Sequence, residues 1–221
     1  MLHRTLLAAT FVALACPSSW AQNPRVEISA TAGWTFSDGV SGNAVAVPDV
    51  GVFDRVDPKD AFSWGVRAGL VFASQVEVGA LVDQQATQLQ LGGTGTLDVG
   101  KLSLHNYHGY VAYNLGDSDA KVRPYLLAGL GVTQYGAISA SLGGNQQTRR
   151  GNSRFSPTVA AGVKLYLARQ VGIRVEGRWT PTYIKQELAG WWCDPYWGCY
   201  VTSGYQFANQ IELAGGLVLR F

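Results

Sequence analysis

Hydrophobic and polar residues alternate with a period of two along most of this chain. In the segment 207–221, large apolar residues such as Ile211 and Leu213 occupy odd positions. Charged residues, Glu212 and Arg220, occupy even positions of the same segment. Because successive side chains of a β-strand point to opposite faces, this alternation predicts a strand with one apolar and one polar face.

Seven earlier segments repeat this pattern, and together they predict eight strands long enough to cross a bilayer when tilted. The other seven lie at about 25–36, 61–73, 75–88, 100–115, 122–137, 154–168 and 170–185. The fourth is irregular, because Leu102 and Leu104 fall out of phase with Tyr107 and Val111. This change of phase predicts a β-bulge near His105.

The connections between the predicted strands alternate in length. Short links fall at 73–75, 116–121 and 168–170, whereas long links fall at 37–60, 89–99, 138–153 and 186–206. Short periplasmic turns and long extracellular loops are typical of barrels in outer membranes. The pattern therefore predicts an all-β protein, an eight-stranded antiparallel up-and-down transmembrane β-barrel with both termini on the short-turn side.

The two faces of the strands decide between a membrane barrel and a soluble, lipocalin-like barrel, in which the apolar face would point inward. Aromatic residues lie near the strand ends on the apolar face, as in interfacial girdles: Trp34, Phe36, Phe62, Phe72, Tyr113, Phe155, Trp179, Tyr183, Phe207 and Phe221. The polar face carries both signs of charge: Glu27, Glu77, Asp83, Glu176 and Glu212 with Arg67, Arg123, Lys164, Arg174, Arg178 and Arg220. We expect these charges to fill the interior as a salt-bridge network that closes the lumen, since eight strands leave little room for water. An ion path is the alternative.

The N-terminus predicts export, and residues 22–221 form the predicted barrel domain. Residues 1–21 combine a basic start, an apolar run and the small residues Ser19 and Ala21 at a cleavage site, as in a Sec-type signal peptide. Lipidation of Cys16 is an alternative. Only 14% of residues are charged and the net charge is +2. With no basic cluster, nucleic acid is not an expected partner.

The last long link contains the most distinctive local sequence. Cys193 and Cys199, five residues apart in an exported chain, predict a disulfide. Two thiolates alone make an incomplete zinc site, so no metal is expected. Aromatic residues surround the pair: Trp191, Trp192, Tyr196, Trp197 and Tyr200. Such side chains suit a binding surface for a partner, a glycan or a lipid headgroup, but they also suit a small core that folds the loop onto the barrel rim.

Several segments resemble the family of small outer-membrane β-barrel proteins, which includes the transmembrane domain of outer-membrane protein A and the opacity-type adhesins. They are the signal peptide, residues 123–132 and 162–166, and the terminal Phe221. The resemblance implies a place in the outer membrane of a Gram-negative bacterium, in contact with lipid and lipopolysaccharide. It also implies that the barrel-assembly machinery reads Phe221. We expect a monomer without a cofactor, and a role in envelope structure or in binding a surface ligand through the loops.

The remaining functional alternatives are a narrow channel and a lipid A-modifying enzyme. Ser103 and His105 form a Ser-x-His sequence, and His108 is the other histidine beyond the signal peptide. A serine hydrolase needs a nucleophile, a base and an orienting group in mutual reach, and no acid can be assigned to this pair from the sequence. We therefore predict a protein that is not an enzyme and has no catalytic residues.

Overall fold

The computed structural model describes residues 24–47, 51–72, 75–117, 119–142, 145–149, 151–184, 193–194, 198–199 and 206–221. These residues form β1 (Arg25–Ser37), β2 (Val40–Val47), β3 (Gly51–Pro58), β4 (Ala61–Phe72), β5 (Val76–Gly93), β6 (Thr96–Asn114), β7 (Val122–Tyr135), β8 (Ile138–Leu142), β9 (Asn145–Arg149), β10 (Asn152–Tyr166), β11 (Val171–Ile184), β12 (Cys193–Asp194), β13 (Gly198–Cys199) and β14 (Gln206–Arg220). Within the described ranges, no helix is long and apolar enough to span a membrane.

Eight of these strands close into an antiparallel barrel, which confirms the predicted fold. Each strand pairs with the next in the ring β1, β4, β5, β6, β7, β10, β11 and β14. The last strand closes the ring by pairing with the first, from Glu27 opposite Arg220 to Ser37 opposite Gln210. All eight segments that alternate in the sequence are therefore barrel strands.

The long links are more ordered than predicted, because they contain further strands. The link 37–60 forms β2 and β3, and β3 pairs with the distal part of β5. The link 89–99 is the tip of a continuous β5–β6 hairpin, and β8 and β9 pair beside β6. We call these parts the outer extension: β2, β3, β8, β9, and the segments 85–93 and 96–104 of β5 and β6.

The predicted bulge near His105 is wrong. Pairing of β5 with β6 runs without interruption from Val76 opposite Tyr113 to Leu89 opposite Gly100. The register shifts only beyond Leu89, where Gln90 faces Asp98. Leu102 and Leu104 point inward like Asn106, so the phase of the strand is regular and the chemistry of its inner face changes instead.

The apolar residues of the barrel strands point outward, and the polar residues point inward. Side chains such as Leu126, Leu130 and Leu213 are more than half exposed on the outer wall. Ten large aromatic side chains on this wall are also widely exposed, most of them toward the outer extension: Trp34, Phe36, Phe62, Trp64, Tyr107, Phe155, Trp179, Phe207, Tyr113 and Phe221. This arrangement matches a wall that faces hydrocarbon. Phe72 and Tyr183 are half-buried.

Candidate functional site

The end of the lumen near the short turns contains a cluster of opposite charges around one lysine. The Lys164 ammonium contacts a carboxylate oxygen of Glu27 and lies 2.6 Å from Oε2 of Glu77. The Tyr166 hydroxyl donates to Glu27 at 2.6 Å, and Arg220 Nε lies 3.2 Å from the same carboxylate. Four separate strands therefore meet at two acids, and each carboxylate has a cationic partner.

The middle of the lumen is built around Glu176. Arg67 Nη2 donates to Glu176 Oε1 at 2.6 Å, and the Tyr125 hydroxyl donates to Oε2 at 2.5 Å. Arg174 Nε donates to the Tyr125 hydroxyl at 2.8 Å, and its guanidinium lies 4.5 Å from the centre of that ring. Gly162 leaves room for the ring, because a Cβ at this position would lie 2.5 Å from the Tyr125 hydroxyl.

The third cluster lies toward the outer extension and surrounds Arg178. Its Nη2 lies 2.5 Å from Asp83 Oδ2 and contacts Glu212. Ser63 donates to Glu212 at 3.0 Å, and the Asn106 amide donates to Asp83 at 2.8 Å. The charges of this layer are thus paired across five strands.

The lumen is packed with side chains. The eleven charged residues predicted to line it are all 8% exposed or less: Glu27, Arg67, Glu77, Asp83, Arg123, Lys164, Arg174, Glu176, Arg178, Glu212 and Arg220. A continuous column of water would leave many of these groups in contact with solvent. Buried charges are tolerable only when they are paired and hydrogen-bonded, and every carboxylate of the three clusters has a cationic partner.

Tyrosine hydroxyls are members of this network that the charge pattern did not reveal. Tyr110 donates to Glu77 at 2.6 Å, and Tyr125 and Tyr166 donate to the acids described above. All three side chains are buried. Their positions in the sequence could have revealed them, because each tyrosine occupies a polar-face position of its strand, where the side chain points into the lumen.

The two histidines lie on opposite faces of β6. His108 points into the lumen and its Nε2 is 3.0 Å from the Ser156 hydroxyl. His105 points outward, stacks on Tyr107 with ring centroids 6.4 Å apart, and pairs across strands with Gln84 and Gln134. Among the described residues, no carboxylate hydrogen-bonds to Ser103 or His105. This pair therefore lacks the orienting group that serine hydrolysis needs.

The outer extension has a core of its own, and this core is apolar. Val56, Leu89, Leu102, Leu104 and Tyr135 are buried together, and Leu91 and Val99 pack against them. The inward-facing side chains are thus mainly polar in the barrel and apolar in the outer extension.

The acidic and basic side chains on the surface of the extension are partly solvated. Arg55 contacts Asp38 and donates to Asp57 at 2.7 Å, and these contacts raise the pKa of its guanidinium, the hydrogen bond with Asp57 first. Lys59 lies 2.7 Å from Asp98. No group of three or more metal-ligating side chains occurs in the described part of the chain.

The aromatic loop lies largely outside the described residues. Trp191, Trp192, Tyr196, Trp197 and Tyr200 are not among them. The backbones of Cys193 and Cys199 are described, and they face each other in the short antiparallel pair of β12 and β13. Directly opposed residues have Cα atoms about 4.5–5.5 Å apart, a separation that permits a disulfide. The disulfide itself stays a prediction, as does the signal peptide in residues 1–21.

The last residue completes the ring at the short-turn end. The backbone N–H of Phe221 donates to the Val26 carbonyl at 2.9 Å, and the Val26 N–H donates back at 3.1 Å. The Phe221 side chain is 66% exposed on the outer wall. Its predicted role as an assembly signal is a matter for experiment.

The family of the chain follows from comparison with known proteins. Residues 5–189 match the model of the outer membrane protein beta-barrel domain, which covers most of the sequence. The chain belongs to this family of outer-membrane β-barrels, and the family places it in the outer membrane of a Gram-negative bacterium. No curated protein sequence matches it significantly.

Several solved bacterial outer-membrane proteins are similar in structure to this chain. The outer membrane protein OprG from Pseudomonas aeruginosa is 13% identical, with a TM-score of 0.61 over 90% of this chain and 96% of that one. Neisserial surface protein A is 17% identical, with a TM-score of 0.49 over 90% and 97%. The outer membrane protease OmpT from Escherichia coli is 13% identical, with a TM-score of 0.47 over 92% and 98%. At such low identity the likeness shows only the fold.

Proposed function

We propose that this protein is a closed, non-enzymatic barrel that presents a rigid β-structured extension at the cell surface, with a role in envelope structure or surface interaction. The observation that carries the proposal is the packed lumen, in which Arg123, Arg174 and Lys164 are 0–1% exposed. A protein that conducts solutes needs a solvated path, and this interior offers paired charges instead.

The outer extension supports the second half of the proposal. Six strands continue the barrel wall beyond the aromatic residues, and an apolar core holds the inner sides of β3, β5 and β6 together. The extension therefore holds its exposed side chains on a stable scaffold, which lowers the entropy lost when a partner binds. The aromatic loop 191–200 is the candidate contact surface, and its ligand is a protein, glycan or lipid headgroup outside the cell.

Export through a Sec-type signal peptide, recognition of Phe221 by the assembly machinery and contact with lipopolysaccharide complete the proposal. The short turns would face the periplasm and the extension would face the exterior, as is general for this class of barrel. The protein acts as a monomer.

Planar-bilayer recording tests the closed lumen. The full chain, refolded and inserted into the bilayer, should show no steps above the background of protein-free detergent. Stable single-channel conductance in the wild type would contradict the proposal and favour the channel. Loss of lipid A acyl chains on expression, abolished by His105→Ala, would instead favour an enzyme.

Whole-cell binding tests the surface role. Cells expressing the protein should bind members of a panel of glycans and extracellular-matrix proteins, and replacement of Trp191, Trp192 and Trp197 by Ser should abolish the binding. Lys101→Gln is the control, because this exposed side chain lies on the outer extension away from the loop sequence. If the Trp variant binds like the wild type, the loop is not the contact surface. Replacement of Cys193 and Cys199 by Ser, in the same assay, tests whether the predicted disulfide is needed for binding.

A further inference from the structure

A cleft opens at the short-turn end of the barrel, opposite the outer extension. It has a volume of about 660 Å³, and five strand ends or turns surround it. Its lining includes Arg25, Asp119, Lys121, Tyr166, Arg169 and Arg220. This volume lies within the range of small-molecule sites, about 300–1,000 Å³.

The rim of the cleft carries an excess of positive charge. Arg25, Lys121 and Arg169 are held by three different segments, the start of β1, the turn before β7 and the turn before β11. The one acidic side chain of the lining, Asp119, lies 3.5 Å from Arg25 and is 88% exposed. The terminal carboxylate of Phe221 also belongs to the lining, and together these two acids offset two of the four cations Arg25, Lys121, Arg169 and Arg220. Lys121 and Arg169 are exposed and form no ion pair with another described residue. Two cations of the rim are therefore available to a ligand.

The floor of the cleft does not neutralise this charge. The Arg220 guanidinium lies 3.7 Å from the centre of the Tyr166 ring, and both residues are buried. The Tyr166 hydroxyl donates to Glu27, whose carboxylate is shared with Lys164. The layer below the floor contains Lys164 and Arg123 against Glu27 and Glu77, so its charges balance and it adds no net negative charge.

We propose that this cleft is a binding site for a phosphate group presented from the periplasm. A phosphate monoester carries about −1.5 to −2 charges at neutral pH and three strong acceptor oxygens. Cations that approach from three segments match such a group, whereas one carboxylate is satisfied by a single arginine. The inference rests on the proposed orientation, in which the short-turn end faces the periplasm. The group then belongs either to a soluble phosphorylated molecule or to a phospholipid headgroup of the inner leaflet, whose phosphodiester carries one negative charge and two free acceptor oxygens.

Calorimetry on the full chain in phosphate-free alkyl-maltoside micelles tests the site, with inorganic phosphate as the probe at constant ionic strength set by chloride. The wild type should bind phosphate saturably, and more tightly than acetate. The double substitution Lys121→Gln and Arg169→Gln should weaken phosphate binding at least about tenfold, because two charge-assisted contacts are lost. Both side chains are exposed, so the fold should remain intact, which heat-dependent gel mobility verifies.

The control replaces two cations of the opposite end, Lys59→Gln, which is partly buried and paired with Asp98, together with the exposed Lys101→Gln, and should change the affinity by less than about twofold. Equal binding by the wild type and the Lys121/Arg169 variant would overturn the proposal, as would acetate binding as tight as phosphate binding or the absence of binding. Titration in micelles that contain phosphatidylglycerol separates the two sources. A lower apparent affinity in the wild type identifies the lipid headgroup as the occupant, and an unchanged affinity identifies a soluble molecule.

Discussion

The barrel wall and the outer extension share two strands but have opposite polarity. On the outward face of β5, the residues that follow one another are Val76, Val78, Ala80 and Val82, then Gln84, Ala86, Gln88 and Gln90. The inward face of the same strand stays polar from Glu77 and Asp83 through Gln85 and Thr87, and becomes apolar at Leu89. The backbone alternates without interruption across this change, and only the chemical character of each face is exchanged.

The neighbouring strand β6 shows the same exchange, although its inward face becomes apolar at Leu104, opposite the polar Gln85 of β5. Tyr107 and Val111 face outward in the barrel, and Lys101 is exposed beyond them. The inward face changes from Asn106 to Leu104, which is fully buried. The exchange lies near the pair Gln84 and His105, just beyond the aromatic residues of the wall.

The difference teaches that the medium outside the wall sets the polarity of both faces. Where hydrocarbon surrounds the barrel, apolar side chains face outward and the lumen must pair its polar groups internally. Where water surrounds the extension, burial of apolar side chains inside becomes favourable again. A strand that crosses the interface must therefore exchange its pattern.

The largest expected effect comes from breaking the paired charges of the lumen. Lys164→Met removes the cation between Glu27 and Glu77 and leaves two buried carboxylates without it. We expect a loss of about 3–5 kcal/mol in the free energy of unfolding. Urea unfolding in lipid vesicles, followed by gel mobility, measures this loss.

Two variants calibrate the lumen result. Lys101→Met, on the exposed surface of the extension, should change stability by less than about 0.5 kcal/mol. Adding Glu27→Gln and Glu77→Gln to the Lys164 variant should recover part of the loss, because the uncompensated charges are gone. Equal stability of the Lys164 variant and the wild type would show that the network does not hold the barrel together.

The next effect tests the exchange of polarity on one face of one strand. Ala80→Arg places a charge on the outward face of β5 within the barrel wall, whereas Gln88→Arg places it on the same face in the extension. We expect the first to cost about 2–4 kcal/mol near the membrane midplane. The second should lie within about 0.5 kcal/mol. Urea unfolding in lipid vesicles measures both costs. Similar costs at the two positions would mean that the boundary between the barrel wall and the outer extension has been placed wrongly.

A smaller and local effect should follow truncation of the core of the extension. Leu104→Ala removes a fully buried side chain from the cluster with Tyr135 and Val56. We expect the extension to lose about 2 kcal/mol of local stability, a value at the lower end of the range for a buried Leu→Ala substitution. The stability of the barrel should not change. Hydrogen exchange measures both regions of β6 in one experiment: faster exchange in 96–104 with no change in 106–114. Equal acceleration in both would show that the two regions unfold as one unit.

The smallest effect concerns the surface charges of the extension. Arg55→Gln breaks the contacts with Asp38 and Asp57, which are partly solvated. We expect a loss below about 1 kcal/mol that decreases at high salt, because exposed ion pairs are screened. Urea unfolding at low and at high ionic strength measures it. A loss that does not depend on salt and is as large as that of Lys164→Met would contradict the contrast between buried ion pairs in the lumen and solvated ion pairs on the extension.

Most of the barrel was predictable, and most of the extension was not. Alternation gave every barrel strand within a few residues, because each strand has one face in hydrocarbon and one in a polar lumen. The same rule failed at Leu102 and Leu104, where the change of phase was interpreted as a bulge near His105. Strands β2, β3, β8 and β9 were predicted as loops, since their pairing depends on partners that are distant in the sequence.

The sequence by itself determined the class of fold, the number of barrel strands and which charges face inward, because a period of two is written residue by residue along each strand. Only the tertiary structure decided which charges pair, since Lys164 meets Glu27 and Glu77 across 137 and 87 residues of chain. It also decided where the polarity of β5 and β6 is exchanged. Strand register fixes both features, and register depends on contacts between strands that no local pattern records.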